Sequence, residues 1–234
     1  MIGQRIRQDC RILCILAVAA LDLGSGYGET GRDDPAPSIA ISIQNALPFY
    51  GEFYSVPQDA RSMLELKYRI PMDWRAQSGG EEPIDLWYGY MGQTIDIPLA
   101  DDGTLAWLPG REVVDANPML YANAAGSEGA LIFVLEPKLI PWSEYEAHTL
   151  SKALRQANGM TRHLFGLAGA AMPRQKAIKF NVQPETEAAI LNSDGTTATL
   201  SADPSGSLLY HPRQFPKAVR LRLNTRPLSI AFAE

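Results

Sequence analysis

Short stretches of this chain alternate apolar and polar residues with a period of two. The clearest are Leu66-Lys67-Tyr68-Arg69-Ile70 and Ile178-Lys179-Phe180-Asn181-Val182. Successive side chains of a β-strand point to opposite faces, so this alternation predicts half-buried strands. The 19 glycines and 17 prolines are spread along 234 residues, as is typical of many short strands joined by turns. The pattern therefore predicts a mainly β fold.

One long segment has the periodicity of a helix instead. Ser143-Glu144-Tyr145-Glu146 has the spacing of a capping box, in which the serine and the second glutamate satisfy early backbone N–H groups. Pro141-Trp142 precedes it as a staple, and Pro173 ends the segment. The apolar residues that follow the box fall three or four positions apart and form a stripe: Leu150, Leu154, Ala157, Met160, Leu164 and Ala168. We predict an amphipathic helix within residues 141–172 that packs on β-structure.

Three blocks of the sequence recur in the same order, which predicts an internal repeat. The strand 66–70 is followed by 95–97 and by an Asp-containing turn with glycine, 101–109; the strand 178–182 is followed by 198–200 and by a similar turn, 203–212. The pairs 120–123 with 131–134 and 221–224 with 228–232 complete the two copies. We predict two tandem small antiparallel β-sandwich-like modules, 48–140 and 173–234, joined by the helix of 141–172. The alternative is that any two all-β stretches look alike at this level.

The N-terminal residues have the layout of a secretory signal peptide. Arg5, Arg7 and Arg11 precede an apolar run, Ile12 to Leu21, and small residues follow at 24–28. We predict a signal peptide over 1–28, cleaved between Ala20 and Glu29, then a flexible linker over 29–47, and a periplasmic or secreted location. A buried N-terminal helix is the alternative. Both cysteines, at positions 10 and 14, lie in this segment, so the mature chain would contain none.

Charge and hydropathy restrict the partners. A net charge of −5 and a pI of about 5.3 argue against a nucleic-acid partner, because phosphate binding needs a concentrated Lys/Arg field. No second apolar run reaches the length of a bilayer-spanning helix, so we expect no membrane span in the mature chain.

One stretch carries a family resemblance. Ala100-Asp101-Asp102-Gly103-Thr104-Leu105-Ala106-Trp107-Leu108-Pro109-Gly110 resembles the Asp-x-x-Gly-x-(apolar)-x-(aromatic)-x-Pro stretch of small extracellular Greek-key sandwiches, the carboxypeptidase-regulatory-like or transthyretin-like modules. Residues 207–212 repeat it more weakly, and the two-copy layout is similar to that of exported bacterial proteins. The resemblance implies an accessory or binding role without inherited catalytic residues.

Candidate chemistry is sparse. The nearest approach to a serine nucleophile elbow, Ala125-Gly126-Ser127-Glu128-Gly129, lacks the first glycine and leads into a strand rather than a helix. His148 and His163 are 15 positions apart on one predicted helix, or roughly 22 Å, so they cannot share a metal ion. We predict no catalytic residues, no metal site and no cofactor.

The one binding hypothesis concerns aromatic residues. Alternation along Ile84-Asp85-Leu86-Trp87-Tyr88-Gly89-Tyr90 puts Asp85, Trp87 and Gly89 on one face of a strand. If the opposite face is core, Trp87 is displayed beside the Asp85 carboxylate, where it could stack a sugar ring or grip a peptide. The alternative is that Trp87 packs under the helix. Trp107 shares a face with Leu105 and is predicted to be core.

These features favour an exported, non-catalytic binding or scaffolding protein of the bacterial envelope, whose partner is another protein or an envelope polymer. Two alternatives stay open. One is a carbohydrate-binding module that uses Trp87 and neighbouring tyrosines, and the other is a hydrolase whose catalytic residues are scattered along the sequence.

Overall fold

The computed structural model describes residues 39–71, 74, 84–124 and 129–234. The predicted signal peptide, 1–28, and the first part of the predicted linker, 29–38, lie outside these ranges. The mainly β fold is confirmed, because the described part of the chain contains several antiparallel sheets and four α-helices, of which one is long. The strands are β1 (Ile39–Ser42), β2 (Leu64–Arg69), β3 (Leu86–Tyr90), β4 (Gln93–Asp96), β5 (Met119–Ala122), β6 (Ile132–Pro137), β7 (Glu144–Glu146), β8 (Ala177–Asn181), β9 (Glu187–Asn192), β10 (Thr197–Ser201), β11 (Ser207–Tyr210), β12 (Ala218–Leu223) and β13 (Ser229–Ala233). The helices are α1 (Ile43–Ala46), α2 (Tyr50–Ser55), α3 (Arg111–Ala116) and α4 (Ala147–Ala171).

The described residues divide into two compact units, each drawn from two pieces of the chain. Unit 1 comprises 39–48 and 67–134, and unit 2 comprises 49–66 and 135–234. Residues 49–66 therefore group with the C-terminal part of the chain, although they were assigned from the sequence to a first module of 48–140. Helix α4 also belongs to unit 2, where the sequence had suggested a connector between modules.

Unit 1 is built on a four-stranded antiparallel sheet in the order β1-β5-β3-β4. One register row crosses it from Ile41 through Leu120 and Tyr88 to Ile95. β1 and α1 occupy residues that were predicted to form a flexible linker. That expectation is wrong for 39–47, because Ile39, Ile43, Ala46 and Leu47 are at most 2% exposed and α1 hydrogen-bonds through Ile43 N to Pro118 O. Burial of these apolar side chains is favourable, whereas a solvated linker would leave them in contact with water.

Unit 2 contains a four-stranded antiparallel sheet in the order β7-β12-β9-β10 and a three-stranded sheet in the order β11-β8-β13. The row Tyr145–Leu221–Ile190–Ala198 crosses the first sheet. The apolar stripe of α4 joins side chains of both sheets in one buried cluster, whose members include Leu150, Leu154, Phe180, Ile190, Leu208 and Leu221.

The two four-stranded sheets share a connectivity. When the strands of each sheet are numbered along the chain, the first strand pairs with the fourth, the fourth with the second, and the second with the third. Each first strand runs directly into a helix, β1 into α1 and β7 into α4.

The Asp-containing turns share their hydrogen bonds as well. Gly103 N donates to Ala100 O and Gly103 O accepts from Ile70 N, while Gly206 N donates to Asp203 O and Gly206 O accepts from Val182 N. Both glycines have a positive φ, 81° and 74°, which a residue without Cβ adopts at little cost.

Helix α4 begins later than its capping box predicts. Residues 144–146 form β7, and the helix starts at Ala147. The side chain of its N-cap residue, Glu146, makes no capping hydrogen bond. Pairing with β12 satisfies the backbone here, and the Tyr145 ring packs against Phe180 with centroids 5.2 Å apart, so extended structure is preferred over another helical turn.

The predicted stripe of α4 is confirmed over its first four positions, from Leu150 to Met160, which are buried. It fails at Ala168, which is exposed. Gly166, at φ 55° and ψ −130°, interrupts the helical backbone, so the residues after it no longer follow the 3.6-residue period. The element ends at Ala171, before Pro173, as predicted.

Candidate functional site

Trp87 does not lie on an open sheet face. Its side chain is 5% exposed, and its ring stacks on that of Tyr121, directly opposite on β5, with centroids 5.9 Å apart and planes 24° apart. The neighbours Leu86 and Tyr88 are buried too, so β3 is covered on both faces at this end. Of the two hypotheses for Trp87, display of the indole is therefore wrong. Alternation assigns side chains to the two faces of a strand but does not say which face stays open.

Asp85 is exposed, and its hydrogen bonds hold neighbouring strands together. Asp85 N donates to Asn123 Oδ1 at 2.7 Å, Asn123 Nδ2 donates to Asp85 Oδ2 at 3.3 Å, and Asn123 N donates to Asp85 O at 3.3 Å. The residue thus fastens the segment leading into β3 to the segment leaving β5. This arrangement does not pair its carboxylate with an open aromatic ring.

Trp107, predicted to be core, is 38% exposed and contacts Tyr88 edge-on, with ring centroids 6.4 Å apart. Burial, reinforced by the Glu112 carboxylate and by Tyr90, raises the pKa of the Tyr88 phenol. The Tyr88 phenol therefore stays neutral beside the indole at physiological pH.

Exposed aromatic and apolar side chains lie close together in the sequence of unit 2. Trp142 is 51% exposed, and Ile140, two residues earlier, is 67% exposed. The loop that carries them is held from below, because Trp142 N donates to Tyr145 Oη at 2.8 Å and Tyr145 Oη donates to Ile140 O at 3.1 Å. Burial raises the pKa of Tyr145 to about 12, against a smaller lowering effect of the Trp142 hydrogen bond, so this phenol keeps its donated proton.

A second loop, between β12 and β13, completes this surface. The Arg226 guanidinium lies 5.2 Å from the centroid of the Trp142 ring, and Leu228, two residues on, is 71% exposed. We call Ile140, Trp142, Arg226 and Leu228 the Trp142 surface.

The second loop is also anchored through its backbone and polar side chains. Leu228 N donates to Asn181 O at 2.7 Å, Asn224 N donates to Glu187 O at 3.0 Å, and the hydroxyl oxygens of Thr225 and Thr186 are 2.9 Å apart. Both loops are therefore fixed from beneath while their apolar and aromatic side chains face solvent, which is the arrangement of a preorganised binding surface.

A shallow groove lies on the same unit, along β10, β9 and β12. It is lined by Glu187, Ala188, Ala189, Thr199, Arg222, Leu223 and Asn224. The small Ala189 lies opposite Thr199 on one side and Arg222 on the other, which leaves the groove open between longer neighbours. Asn224, at its end, lies two residues before Arg226 of the Trp142 surface.

Within the described ranges, no cluster of three or more His, Cys, Asp or Glu side chains has the geometry to hold a metal ion. None of the helices in that part of the chain combines the length and the apolar character that crossing a bilayer requires. No protein-family model, curated protein or solved structure matches the chain.

Sequence reasoning did not identify the Trp142 surface, since it interpreted Pro141-Trp142 as a helix staple. A usable signal was present: the apolar run Leu139-Ile140-Pro141-Trp142 lies between predicted strand and predicted helix, where loops come to the surface. Only the position of Arg226, 84 residues further along the chain, shows that this loop is part of a larger surface.

Proposed function

We propose that this chain is an exported, non-catalytic binding or scaffolding protein of the bacterial envelope that holds a partner protein through the Trp142 surface. The observation that carries the proposal is the half-exposed Trp142 ring with the Arg226 guanidinium over it, on two loops fixed by hydrogen bonds. Tryptophan and arginine are the residues most enriched among those that dominate the energy of protein interfaces.

A protein partner suits this surface better than a sugar. One face of the Trp142 ring already carries Arg226, and the flanking side chains Ile140 and Leu228 are aliphatic. Aromatic and aliphatic side chains with an arginine are typical of the core of a protein interface. A sugar, in contrast, stacks on an aromatic ring whose face is free, and polar groups around the ring bind its hydroxyls. The carbohydrate hypothesis required an exposed Trp87 ring, and that ring is buried.

The proposal includes an internal duplication. It is supported by the shared strand order of the two four-stranded sheets and by the matching turns at Gly103 and Gly206. Residues of the recurring sequence blocks also take the same places in the two sheets: Leu120 and Ile95 lie on one register row, and Leu221 and Ala198 lie on the corresponding row. Two copies of one Greek-key module would give the chain a duplicated scaffold, on which only the second copy carries the Trp142 surface.

Export is the third element of the proposal, and it is supported by the basic start and apolar run of residues 1–28. Intact mass of the chain recovered from a bacterial envelope fraction tests it. We expect an N-terminus between Ala20 and Glu29. Recovery of the unprocessed chain from the cytosolic fraction would contradict it.

Binding is tested by immobilising the purified protein, its Trp142→Ala variant and a matched control, Val219→Ala, and exposing each to envelope extract of the source bacterium. Val219 is 45% exposed on β12 of the same unit, so its truncation removes exposed apolar surface away from the Trp142 surface. The retained protein is then purified and titrated against all three. We expect Trp142→Ala to raise its Kd on the order of 30-fold and Val219→Ala to change it less than about threefold.

Equal affinity of Trp142→Ala and the parent protein would refute the Trp142 surface as the binding site. Retention of a polysaccharide instead of a protein would assign the surface to the envelope-polymer alternative. Turnover of an ester, peptide or glycoside that is abolished by a single substitution would overturn the non-catalytic assignment.

A further inference from the structure

The chain is acidic overall, yet one continuous stretch carries basic charge only. Residues 147–184 contain six Lys and Arg residues and no Asp or Glu, in a protein whose net charge is −5. The stretch comprises all of α4 and runs through β8. This local excess of positive charge was hidden in the average composition.

The basic side chains of α4 lie along one line of the helix. At about 100° per residue, His148, Lys152, Arg155, Arg162 and His163 all fall within roughly 60° of a common direction. The buried positions Leu150, Ala153, Leu154, Ala157 and Met160 surround the opposite direction. The packing of α4 on unit 2 therefore turns a basic row toward solvent, and Lys152 to Arg162 spans roughly 15 Å.

These charges are not neutralised within the described structure. In the described part of the chain, Lys152, Arg155 and Arg174 form no ion pair, and the Nε of Arg162 donates only to the carbonyl oxygen of Asn158, at 3.3 Å. Among the residues that the structure describes, His148, at the start of the row, is the one member with a carboxylate at ion-pair distance: its Nδ1 lies 3.1 Å from Glu146 Oε2. The row therefore presents uncompensated positive charge to any anionic surface.

An exposed apolar side chain, that of Leu167, follows the basic row in the chain. Leu167 is 95% exposed and directly follows Gly166, whose backbone conformation breaks the helix. The chain then folds back, since a Cβ on Gly169 would lie 2.6 Å from the carbonyl oxygen of Thr161. Leu167 thus projects into solvent at this bend, four residues after His163 in the chain.

We propose that the outward face of α4 docks on an anionic lipid surface. Lys152, Arg155 and Arg162 would contact headgroup phosphates along the helix, and Leu167 would enter the interfacial layer at its end. A helix that lies in the membrane interface combines basic side chains with an apolar contact, and the exposed leucine favours a lipid surface over a soluble polyanion. This inference is independent of the Trp142 surface and goes beyond the proposed function.

Vesicle sedimentation tests the proposal with the purified chain, the same N-terminus being kept in every variant. Vesicles of phosphatidylcholine with one third phosphatidylglycerol are compared with vesicles of phosphatidylcholine alone. The test variant is Lys152→Gln/Arg155→Gln/Arg162→Gln. The matched control, Arg213→Gln/Lys217→Gln/Arg222→Gln, removes the same charge from exposed positions of the same unit.

We expect binding to the anionic vesicles only, and loss of that binding at high salt. Each basic side chain near an anionic surface contributes about fivefold to the partition coefficient, so the α4 variant should lower it on the order of a hundredfold. The control variant should lower it far less, and Leu167→Ala should lower it severalfold without changing its salt dependence. Circular dichroism of each variant confirms that the fold is kept.

Three outcomes would overturn the proposal. The first is the absence of binding to anionic vesicles, and the second is an equal loss in the α4 and control variants, which would assign the effect to overall charge. The third is tight binding of soluble polyphosphate with no vesicle binding, which would identify the row as a site for a dissolved polyanion.

Discussion

Each unit contains one Asp-containing turn with a glycine of positive φ, and replacing Gly206 by alanine tests the turn of unit 2. Gly206 has a φ of 74°, and a Cβ there would lie well inside van der Waals contact with the carbonyl oxygen of Val182, which is backbone and cannot swing aside. The left-handed conformation costs alanine about 1 kcal/mol. Displacing the strand also weakens the 2.7 Å hydrogen bond from Val182 N to Gly206 O, at about 1 kcal/mol, and the clash adds at least as much again. We expect a loss of about 3–4 kcal/mol in the free energy of unfolding.

Gly195→Ala is the matched control, because Gly195 lies in the same unit at φ 80° and a Cβ there would meet nothing within 4 Å. It should lose only the conformational cost of about 1 kcal/mol. Urea unfolding of both variants, followed by far-ultraviolet circular dichroism, gives the difference directly. If Gly206→Ala is destabilised no more than Gly195→Ala, then Val182 yields without cost and the close approach does not constrain the turn.

Three further predictions concern the helix, the buried phenol and the buried indole. Gly159→Ala should raise the free energy of unfolding by about 0.5–1 kcal/mol, because Gly159 lies inside α4 with open space at its Cβ position, and urea unfolding measures the gain. The pKa of Tyr145 is raised from 10.0 to about 12 in the folded state, which implies stability that is complete below pH 10 and is lost between pH 10 and 12. Unfolding at several pH values should show a drop that is about 2 kcal/mol smaller in Tyr145→Phe, in which the raised phenol pKa values of Tyr88 and Tyr210 still contribute. Trp87→Ala should lose about 3–5 kcal/mol, as expected for truncating a side chain that is 5% exposed, and a loss under 1 kcal/mol by urea unfolding would contradict the burial.

Local patterns were enough to predict several of the strands, although not β1 or β7. Period-two alternation identified β2 and β8, and the glycine of each Asp-containing turn marked a residue with positive φ. Such signals can be read from the sequence because side-chain direction and turn conformation depend on a few neighbouring residues. The buried stripe of α4 was predictable for the same reason, up to the interruption at Gly166.

The basic row on α4 could also have been found in the sequence. Lys152, Arg155 and Arg162 have helical spacing, and the absence of acidic residues from 147 to 184 needs no structure to be seen. Overall net charge concealed it, because the acidic residues of the rest of the chain outweigh it.

The fates of three tryptophans, in contrast, depended on the tertiary structure. Trp87 is covered, Trp107 is partly open and Trp142 is half exposed. The local sequence left display and packing both open for Trp87, predicted burial for Trp107 and suggested a packing role for Trp142. The partners that decide their exposure, Tyr121 for Trp87 and Arg226 for Trp142, are distant in sequence.

The beginning of α4 was decided in the same way. Its capping sequence favours a helix from residue 143, and pairing of Tyr145 with Leu221, 76 residues away, holds the segment extended instead. The amino-acid sequence by itself determined which side chains share a face, because that depends on backbone geometry alone. Which face is covered was decided by the tertiary structure, because burial depends on segments that meet only when the chain has folded.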